Sequence, residues 1–233
     1  MSVFAISDLH LSFSSDKPME VFGGKWKDYT SRMLEKWNSI VKKEDLVIIP
    51  GDISWAMNLS DTFKDFTYIN NLNGKKLLLR GNHDYWWSTL KKMNGFVEDN
   101  NFSSISFLQN NAELWEDYVI CGTRGWIIAK DNSAAEDKKI YERERQRLIL
   151  SLEDAARYAD KKIIVVMHYP PFEKNDPSGG FMDILQNYGV EECIFGHLHD
   201  NAYKTAPLGV INGIKFRLVS CDYLDFVPLL IKK

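Results

Sequence analysis

All five histidines of this 233-residue chain fall within a set of short motifs that also contain aspartate and asparagine. In chain order the motifs are Asp8-Leu9-His10, Gly51-Asp52, Gly81-Asn82-His83-Asp84, the single His168, and Gly196-His197-Leu198-His199. Carboxylate oxygen, amide oxygen and imidazole nitrogen together suit Mn, Fe or Zn better than Ca or Mg, which favour shells made of oxygen alone. The residue types therefore predict a transition-metal site.

The spacing within two of these motifs also suits metal binding. Residues i and i+2 of an extended backbone point to the same side. Asp8 with His10, and His197 with His199, are therefore each expected to aim two ligands at one point. Three of the motifs place a glycine directly before a candidate ligand, which allows a tight turn there.

Each motif follows a short apolar run that predicts a buried β-strand. These strands span residues 3–7, 46–49, 76–79, 162–167 and 193–195, and further strands are predicted at 104–108, 118–121, 210–220 and 226–231, the last two forming a hairpin. Helices are predicted at 29–42, 61–71, 85–93, 133–159 and 181–187. This alternation is typical of an α/β protein, in which ligands bind beyond the carboxyl ends of the strands.

Composition narrows the class of protein. The length fits one domain, 1–233, and an apolar share of 45% can supply a substantial core. Lys plus Arg number 29 against 32 Asp plus Glu, so the basic excess of a dedicated nucleic-acid or membrane-surface protein is missing. The sequence contains neither a membrane-length apolar segment nor a signal-peptide pattern. Three cysteines without CxxC spacing indicate no disulfide framework, and we expect a cytoplasmic protein.

Taken in order, the five motifs resemble the signature of the calcineurin-like metallophosphoesterases, a family of dinuclear-metal phosphoesterases. That signature runs Asp-x-His, Gly-Asp, Gly-Asn-His-Asp/Glu, a lone His, and Gly-His-x-His, and every part is present between positions 8 and 199. The resemblance implies two mixed β-sheets packed as a sandwich and flanked by helices, with two metal ions at the strand ends.

The resemblance also implies a role for each matched residue. One ion would be bound by Asp8, His10, Asp52 and His199, and the other by Asp52, Asn82, His168 and His197. His83 would lie close by without binding metal, and Asp84 would orient it. An N-cap for the following helix is the alternative role for Asp84.

These roles imply hydrolysis of a phosphomonoester or a phosphodiester. The two ions, Mn, Fe or Zn, would activate a bridging hydroxide and neutralise charge on the phosphoryl oxygens. His83 would help to bind the phosphate and protonate the leaving oxygen. A small phosphorylated molecule is the expected substrate. The alternative is a non-catalytic scaffold of the same fold that binds a protein partner, but retention of all five histidines favours the enzyme.

Two departures argue against particular branches of the family. Residues 51–57 lack the Asp-Arg pair of the Gly-Asp-x-x-Asp-Arg-Gly motif of Ser/Thr protein phosphatases. In addition, His83 stands where the lipid-precursor pyrophosphohydrolases typically carry arginine.

Several other features near the motifs have two interpretations. Arg80 and Arg124 could contact phosphate or form structural ion pairs, and the loop at 169–180 could border the substrate or simply connect two elements. Three tryptophans that could wall a substrate pocket are expected in the core instead, namely Trp55, Trp86 and Trp87.

Overall fold

Two β-sheets packed face to face form the centre of the protein, and helices cover their outer faces. The computed structural model describes residues 1–233. The strands are β1 (Val3–Ala5), β2 (Leu46–Pro50), β3 (Lys75–Leu79), β4 (Ile105–Leu108), β5 (Ala112–Trp115), β6 (Tyr118–Thr123), β7 (Lys162–Met167), β8 (Glu192–Phe195), β9 (Gly209–Ile211), β10 (Ile214–Leu218) and β11 (Leu229–Lys232). The helices are α1 (Tyr29–Ile40), α2 (Phe63–Asn71), α3 (Leu90–Asp99), α4 (Ala135–Ala155) and α5 (Met182–Asn187).

Both sheets are mixed, with parallel strands at their centres. The five-stranded sheet has the order β11-β1-β2-β3-β4, and the six-stranded sheet has the order β5-β6-β7-β8-β10-β9. Only β11, β5 and β9 run antiparallel to their neighbours. The α/β sandwich of two mixed sheets flanked by helices, which the resemblance implied, is confirmed.

Because β7 is pleated, its side chains alternate between two apolar layers. Ile164 and Val166 face the other sheet, whereas Val165 and Met167 belong to the layer packed under α4. All four side chains are fully buried. A strand that is covered on both faces needs apolar residues at every position, which explains the continuous apolar run in its sequence.

The predicted hairpin between residues 210–220 and 226–231 is wrong. The first of these segments is itself a hairpin, because Asn212 and Gly213 form a two-residue turn with positive φ between β9 and β10. The second segment contains β11, which pairs with β1 in the other sheet. The chain therefore crosses from one sheet to the other after β10.

Two further elements differ from the prediction. The helix expected at 85–93 begins at Leu90, because the Thr89 hydroxyl accepts a hydrogen bond from the backbone N–H of Lys92 and caps it. Strand β5 was not predicted, since its half-exposed edge position leaves no apolar run. None of the helices combines the length and the apolar character that crossing a bilayer requires.

A buried lysine in β3 is expected to make the stability of the protein depend on pH. Lys76 has no exposed surface, its Nζ donates to the carbonyls of Leu72 at 2.6 Å and Gly74 at 2.7 Å, and burial lowers its pKa to about 7. Between pH 7 and 10 the unfolded chain holds a proton that the folded chain has lost, so this lysine makes stability rise with pH. Below pH 7 the charge on the buried Lys76 destabilises the folded state by up to about 5 kcal/mol.

Lys76→Met is therefore expected to lose this pH dependence, so that its stability relative to the parent should fall by a few kcal/mol between pH 6 and pH 10. Urea unfolding of both proteins at several pH values measures the difference. A difference that is independent of pH would show that Lys76 keeps an ordinary pKa in the folded state.

Candidate active site

The carboxyl ends of five parallel strands, β1, β2, β3, β7 and β8, lead directly into the five motifs. The two sheets are joined by hydrogen bonds at this edge. The Ser7 N–H donates to the Val219 carbonyl at 2.7 Å, and the Cys221 N–H donates to the Ser7 carbonyl at 2.9 Å. The motif residues of both sheets therefore meet in one place.

The backbone at the motifs is not extended, so alternation of i and i+2 does not position the donors; Asp8 and His10 converge as predicted, whereas His197 and His199 do not. Asp8, His10, Asp52 and His197 all have positive φ, between 47° and 71°. Asp and His tolerate the left-handed region better than most residues, although it still costs energy, and such strain concentrates at functional sites. Each left-handed residue turns the chain sharply at a strand end.

The turns bring donors of different motifs together. His199 Nε2 lies 3.4 Å from His10 Nε2 and 3.5 Å from an oxygen of Asp8. Donor atoms of these three residues lie within 4.8 Å of one another. We call this group, Asp8, His10 and His199, the first cluster.

A second cluster consists of Asn82, His168 and His197. His168 Nε2 lies 2.7 Å from Asn82 Oδ1 and 3.3 Å from His197 Nδ1. His197 and His199 therefore belong to different clusters despite their spacing.

Asp52 lies between the two clusters. Its Oδ1 is 3.6 Å from His168 Nε2, and its Oδ2 is 3.9 Å from His10 Nε2. Each oxygen of one carboxylate thus faces a different cluster, which is the arrangement a shared ligand needs.

Glycines give the carboxylates their space. A Cβ on Gly81 would collide with the Asp52 carboxylate, and a Cβ on Gly196 would collide with Asp8. The close backbone approach, rather than a turn with positive φ, accounts for glycine at these two positions.

The donor set fits transition-metal ions. The ring Nδ1 of His168 donates to the Pro50 carbonyl at 2.9 Å, and burial lowers the pKa of His168 to about 3, so Nε2 carries a lone pair. That lone pair faces the Asn82 carbonyl oxygen, and two converging acceptors repel each other unless a cation lies between them. Burial likewise lowers the pKa of His10 to about 3 and of His197 to about 4, which keeps both rings in the neutral, metal-binding form.

The buried carboxylates of Asp8 and Asp52 also indicate bound metal ions. Burial raises the pKa of Asp52 well above its usual value, and the negative charge of Asp8 raises it further. Two buried carboxylates held side by side require positive charge nearby. Bound cations would supply that charge.

Asp222 is a site residue that the motifs did not reveal. It is buried, and its Oδ1 accepts a hydrogen bond from His199 Nδ1 at 2.8 Å, while Tyr203 donates to its other oxygen. Burial opposes the charge of His199, but hydrogen bonds to Asp222 and Asp8 raise its pKa to about 10. Asp222 follows β10, so the same strand-end signal was present in the sequence without a motif to mark it.

Asp222→Asn is expected to weaken metal binding roughly 10-fold to 100-fold, because the carboxylate fixes the His199 ring with Nε2 directed at the first cluster. Titration of the metal-depleted protein with Mn²⁺ or Zn²⁺ measures the affinity. Tyr203→Phe, which removes only the outer hydrogen bond, serves as the milder control. Unchanged affinity in Asp222→Asn would contradict this role.

Asp84 does not contact the His83 ring, and the expectation that it orients that ring directly is wrong. Its carboxylate accepts hydrogen bonds from the backbone of Gly81, Ile53 and Ser54 and from the Trp86 indole. It does not cap a helix either, since α3 begins at Leu90. Asp84 is instead a positioning residue that ties the loops after β2 and β3 together.

His83 lies at the mouth of the site. Its Nε2 is 4.0 Å from Asp52 Oδ2, its side chain is 36% exposed, and its ring centroid lies 4.5 Å from that of Trp55. The backbone N–H of His83 donates to Asp52 Oδ1 at 2.8 Å. Burial lowers the pKa of His83, and the charge of Lys17 adds to this effect.

A cavity opens on each side of the clusters. The one beside His83, which we call the aromatic cavity, has a volume of 250 Å³ and is lined by His10, Met19, Phe22, Trp26, Trp55, His83, His199 and Asp200. Trp55 stacks on His10 at 5.0 Å, so the expectation that it belongs wholly to the core is corrected. Trp86, in contrast, is buried.

The other cavity, of 580 Å³, lies beside His197. The loop that follows β7 forms much of its wall through Tyr169, Pro170, Phe172, Glu173, Lys174 and Asn175. The loop at 169–180 therefore borders the site rather than merely connecting two elements.

Comparison with known proteins identifies the family of this chain. The family model described as calcineurin-like phosphoesterase matches residues 1–201. The chain therefore belongs to the calcineurin-like phosphoesterase family, and it is a metal-dependent phosphoester hydrolase. No curated protein matches the sequence.

Solved structures of low sequence identity share the fold. A protein of unknown function from Aquifex aeolicus, AQ665, is 17% identical, with 98% of this chain and 95% of that chain covered and a TM-score of 0.52. The phosphopantetheinyl hydrolase PptH from Mycobacterium tuberculosis is 12% identical, with 99% and 95% covered and a TM-score of 0.56. TT1561 of Thermus thermophilus is 12% identical, with 99% and 97% covered and a TM-score of 0.56.

Proposed function

We propose that this enzyme hydrolyses a small phosphomonoester or phosphodiester at the two clusters, with Asp52 shared between two metal ions. The observation that carries the proposal is the position of Asp52, whose two oxygens face different clusters. His10 and His199 with Asp8 would hold one ion. The other would be held by Asn82, His168 and His197. Mixed nitrogen and oxygen donors favour Mn, Fe or Zn.

Two bound cations would supply Lewis acidity, which would neutralise charge on phosphoryl oxygens and lower the pKa of water. The protein contributes the fixed geometry of the donors. Hydrogen bonds to Pro50 and Asp222 hold the rings of His168 and His199 with Nε2 directed into the site. His83 stands beside Asp52, where it can bind a phosphoryl oxygen and donate a proton to the leaving oxygen.

The cavities favour a diester over a monoester. One lies beside His83 and the first cluster, and the other lies beside His197 of the second cluster. A phosphorus atom held between the clusters could therefore carry one substituent into each cavity. The substituent on the His83 side would be the leaving group.

Turnover of a panel of esters tests the proposal. The panel contains p-nitrophenyl phosphate, bis(p-nitrophenyl) phosphate and thymidine 5′-(p-nitrophenyl phosphate), each with Mn²⁺, Zn²⁺ or Fe²⁺ across a range of pH. We expect turnover with at least one ion and a higher kcat/KM for the diesters. A protein that binds the metals but hydrolyses none of these esters would support the non-catalytic scaffold instead.

The aromatic cavity predicts a preference for an apolar or ring-shaped leaving group. Phe22 lines this cavity and is 58% exposed, so Phe22→Ser should remove apolar surface without harming the fold. We expect its KM for bis(p-nitrophenyl) phosphate to rise roughly threefold to tenfold, since about 1 kcal/mol of apolar contact is lost.

Val21→Ser is the matched control, because Val21 is adjacent, is 73% exposed and does not line the cavity. Its KM should stay at the parental value. Equal effects of the two substitutions would show that the aromatic cavity does not hold the leaving group.

A further inference from the structure

A cleft of 360 Å³ is separate from the two cavities described above. Its walls include the ends of β3 and β6 and one side of α4. Three arginines and one glutamate line it, and we call these residues, Arg80, Arg124, Glu144 and Arg147, the arginine cleft. None of them belongs to either cluster.

Both oxygens of the single carboxylate in this cleft already accept hydrogen bonds. Glu144 is buried, its Oε2 accepts from the Thr123 hydroxyl at 2.6 Å, and its Oε1 accepts from Arg147 at 2.7 Å and Arg124 at 3.3 Å. Two guanidinium groups thus share one carboxylate, and both of its oxygens accept hydrogen bonds without Arg80. The cleft carries an excess of positive charge.

Two guanidinium donors in the cleft are buried and unpaired. The Nε atoms of Arg80 and Arg124 have no hydrogen-bond partner and no contact with solvent, and the Arg124 side chain is only 10% exposed. An unmade hydrogen bond on a buried charged donor is costly. Burial lowers the pKa of Arg80, and the positive charge of Arg147 lowers it further. The negative charges of Asp84 and Glu144 act in the opposite direction.

We propose that the arginine cleft binds an oxyanion of the phosphate type. Guanidinium groups bind the oxygens of phosphate in a bidentate manner, and bonds of this kind between ions are among the strongest hydrogen bonds in proteins. A bound tetrahedral anion would balance the positive charge that Glu144 leaves uncompensated.

The cleft shares chain segments with the second cluster. Arg80 stands two residues before Asn82, and the carbonyl of Arg124 accepts hydrogen bonds from the backbone of His168 at 3.1 Å and Tyr169 at 2.9 Å. The anion could be free phosphate or a second phosphate group of the substrate, and these sources have the same chemistry at the cleft.

Binding of inorganic phosphate to the metal-depleted protein tests the proposal by calorimetry. Because the metals are removed, the result does not depend on the proposed hydrolysis, so failure of either proposal can be recognised separately. We expect saturable binding to the parent protein. Arg147→Gln should weaken it about tenfold or more, since one charged hydrogen bond is lost. Arg80→Gln should have an effect of similar size.

Arg143→Gln is the matched control. Arg143 lies on the same helix, is 49% exposed and comes within 4.0 Å of Glu144, but it does not line the cleft. Its affinity for phosphate should stay within about twofold of the parent, since an exposed charge contributes little. Absence of saturable binding, or equal weakening by Arg143→Gln and Arg147→Gln, would overturn the proposal.

A pair of substrates distinguishes the two sources of the anion. Thymidine 5′-(p-nitrophenyl phosphate) and its 3′-phosphorylated form have the same leaving group. If Arg147→Gln raises KM only for the 3′-phosphorylated form, the cleft binds a second phosphate of the substrate. If it weakens phosphate binding and leaves both KM values unchanged, the cleft binds free phosphate.

Discussion

Asp52→Asn is expected to lower turnover roughly 10³-fold or more and to reduce the metal content of the purified protein. Asp52 directs one carboxylate oxygen at each cluster, whereas an asparagine side chain has only one oxygen to offer. Loss of a shared ligand removes charge stabilisation worth several kcal/mol, and each 1.36 kcal/mol corresponds to a factor of ten in rate. Elemental analysis together with turnover of bis(p-nitrophenyl) phosphate measures both effects.

The same variant should not lose stability in the metal-depleted state. Burial and the neighbouring charge of Asp8 both disfavour the Asp52 carboxylate there, and the asparagine oxygen can still accept the hydrogen bond from the His83 backbone. Its free energy of unfolding should therefore equal or exceed that of the metal-depleted parent. This readout separates loss of a ligand from damage to the fold.

Asp45→Asn is the matched control for Asp52→Asn. Asp45 is also buried, but it precedes β2 at the opposite end of the strand and accepts hydrogen bonds from the backbone of Ser2 and Lys42. We expect full metal content and turnover in Asp45→Asn. Parental activity in Asp52→Asn would rule out its role as a shared ligand.

His83→Gln is expected to retain its metals and to lose roughly 10²-fold to 10⁴-fold in turnover, which is the usual contribution of a positioned proton donor. The side chain lies beside Asp52 at the mouth of the site and belongs to neither cluster. A phosphoester anion bound next to it favours its protonated form, which offsets the effect of burial on its pKa.

The leaving group provides the control for His83→Gln. A p-nitrophenolate ion departs without much help from a proton, whereas an alkoxide needs one. The loss in kcat/KM should therefore be larger for an alkyl ester than for a p-nitrophenyl ester of the same acid. Equal losses for both esters would assign His83 to phosphate binding rather than to proton donation.

The strand pattern and the motifs predicted much of this protein. Apolar runs such as 162–167 indicated buried strands, because a strand covered on both faces has no place for polar residues. The order of the motifs pointed to the family, and the family resemblance implied the two-sheet sandwich. The prediction failed for the closing strands, since an apolar run does not specify which sheet it joins. The choice between β10 and β1 as a neighbour for β11 depends on pairing across the whole chain.

The active site was likewise predicted from the sequence only in part. Residue types alone determined that carboxylates and imidazoles would be available at strand ends. Only the tertiary structure decided how they group, because left-handed residues such as Asp8 and His197 turn the backbone out of the extended form. It also decided that Asp84 holds loops rather than the His83 ring.

The sequence by itself determined the donors and their chemistry, because a side chain carries its ligand atoms wherever it is placed. The tertiary structure decided the partners of those atoms. Asp222 meets His199, and Arg80 lines a cleft with Arg147, across long stretches of chain. Such contacts depend on how two sheets and a helix pack together, and no local pattern of residues encodes that packing.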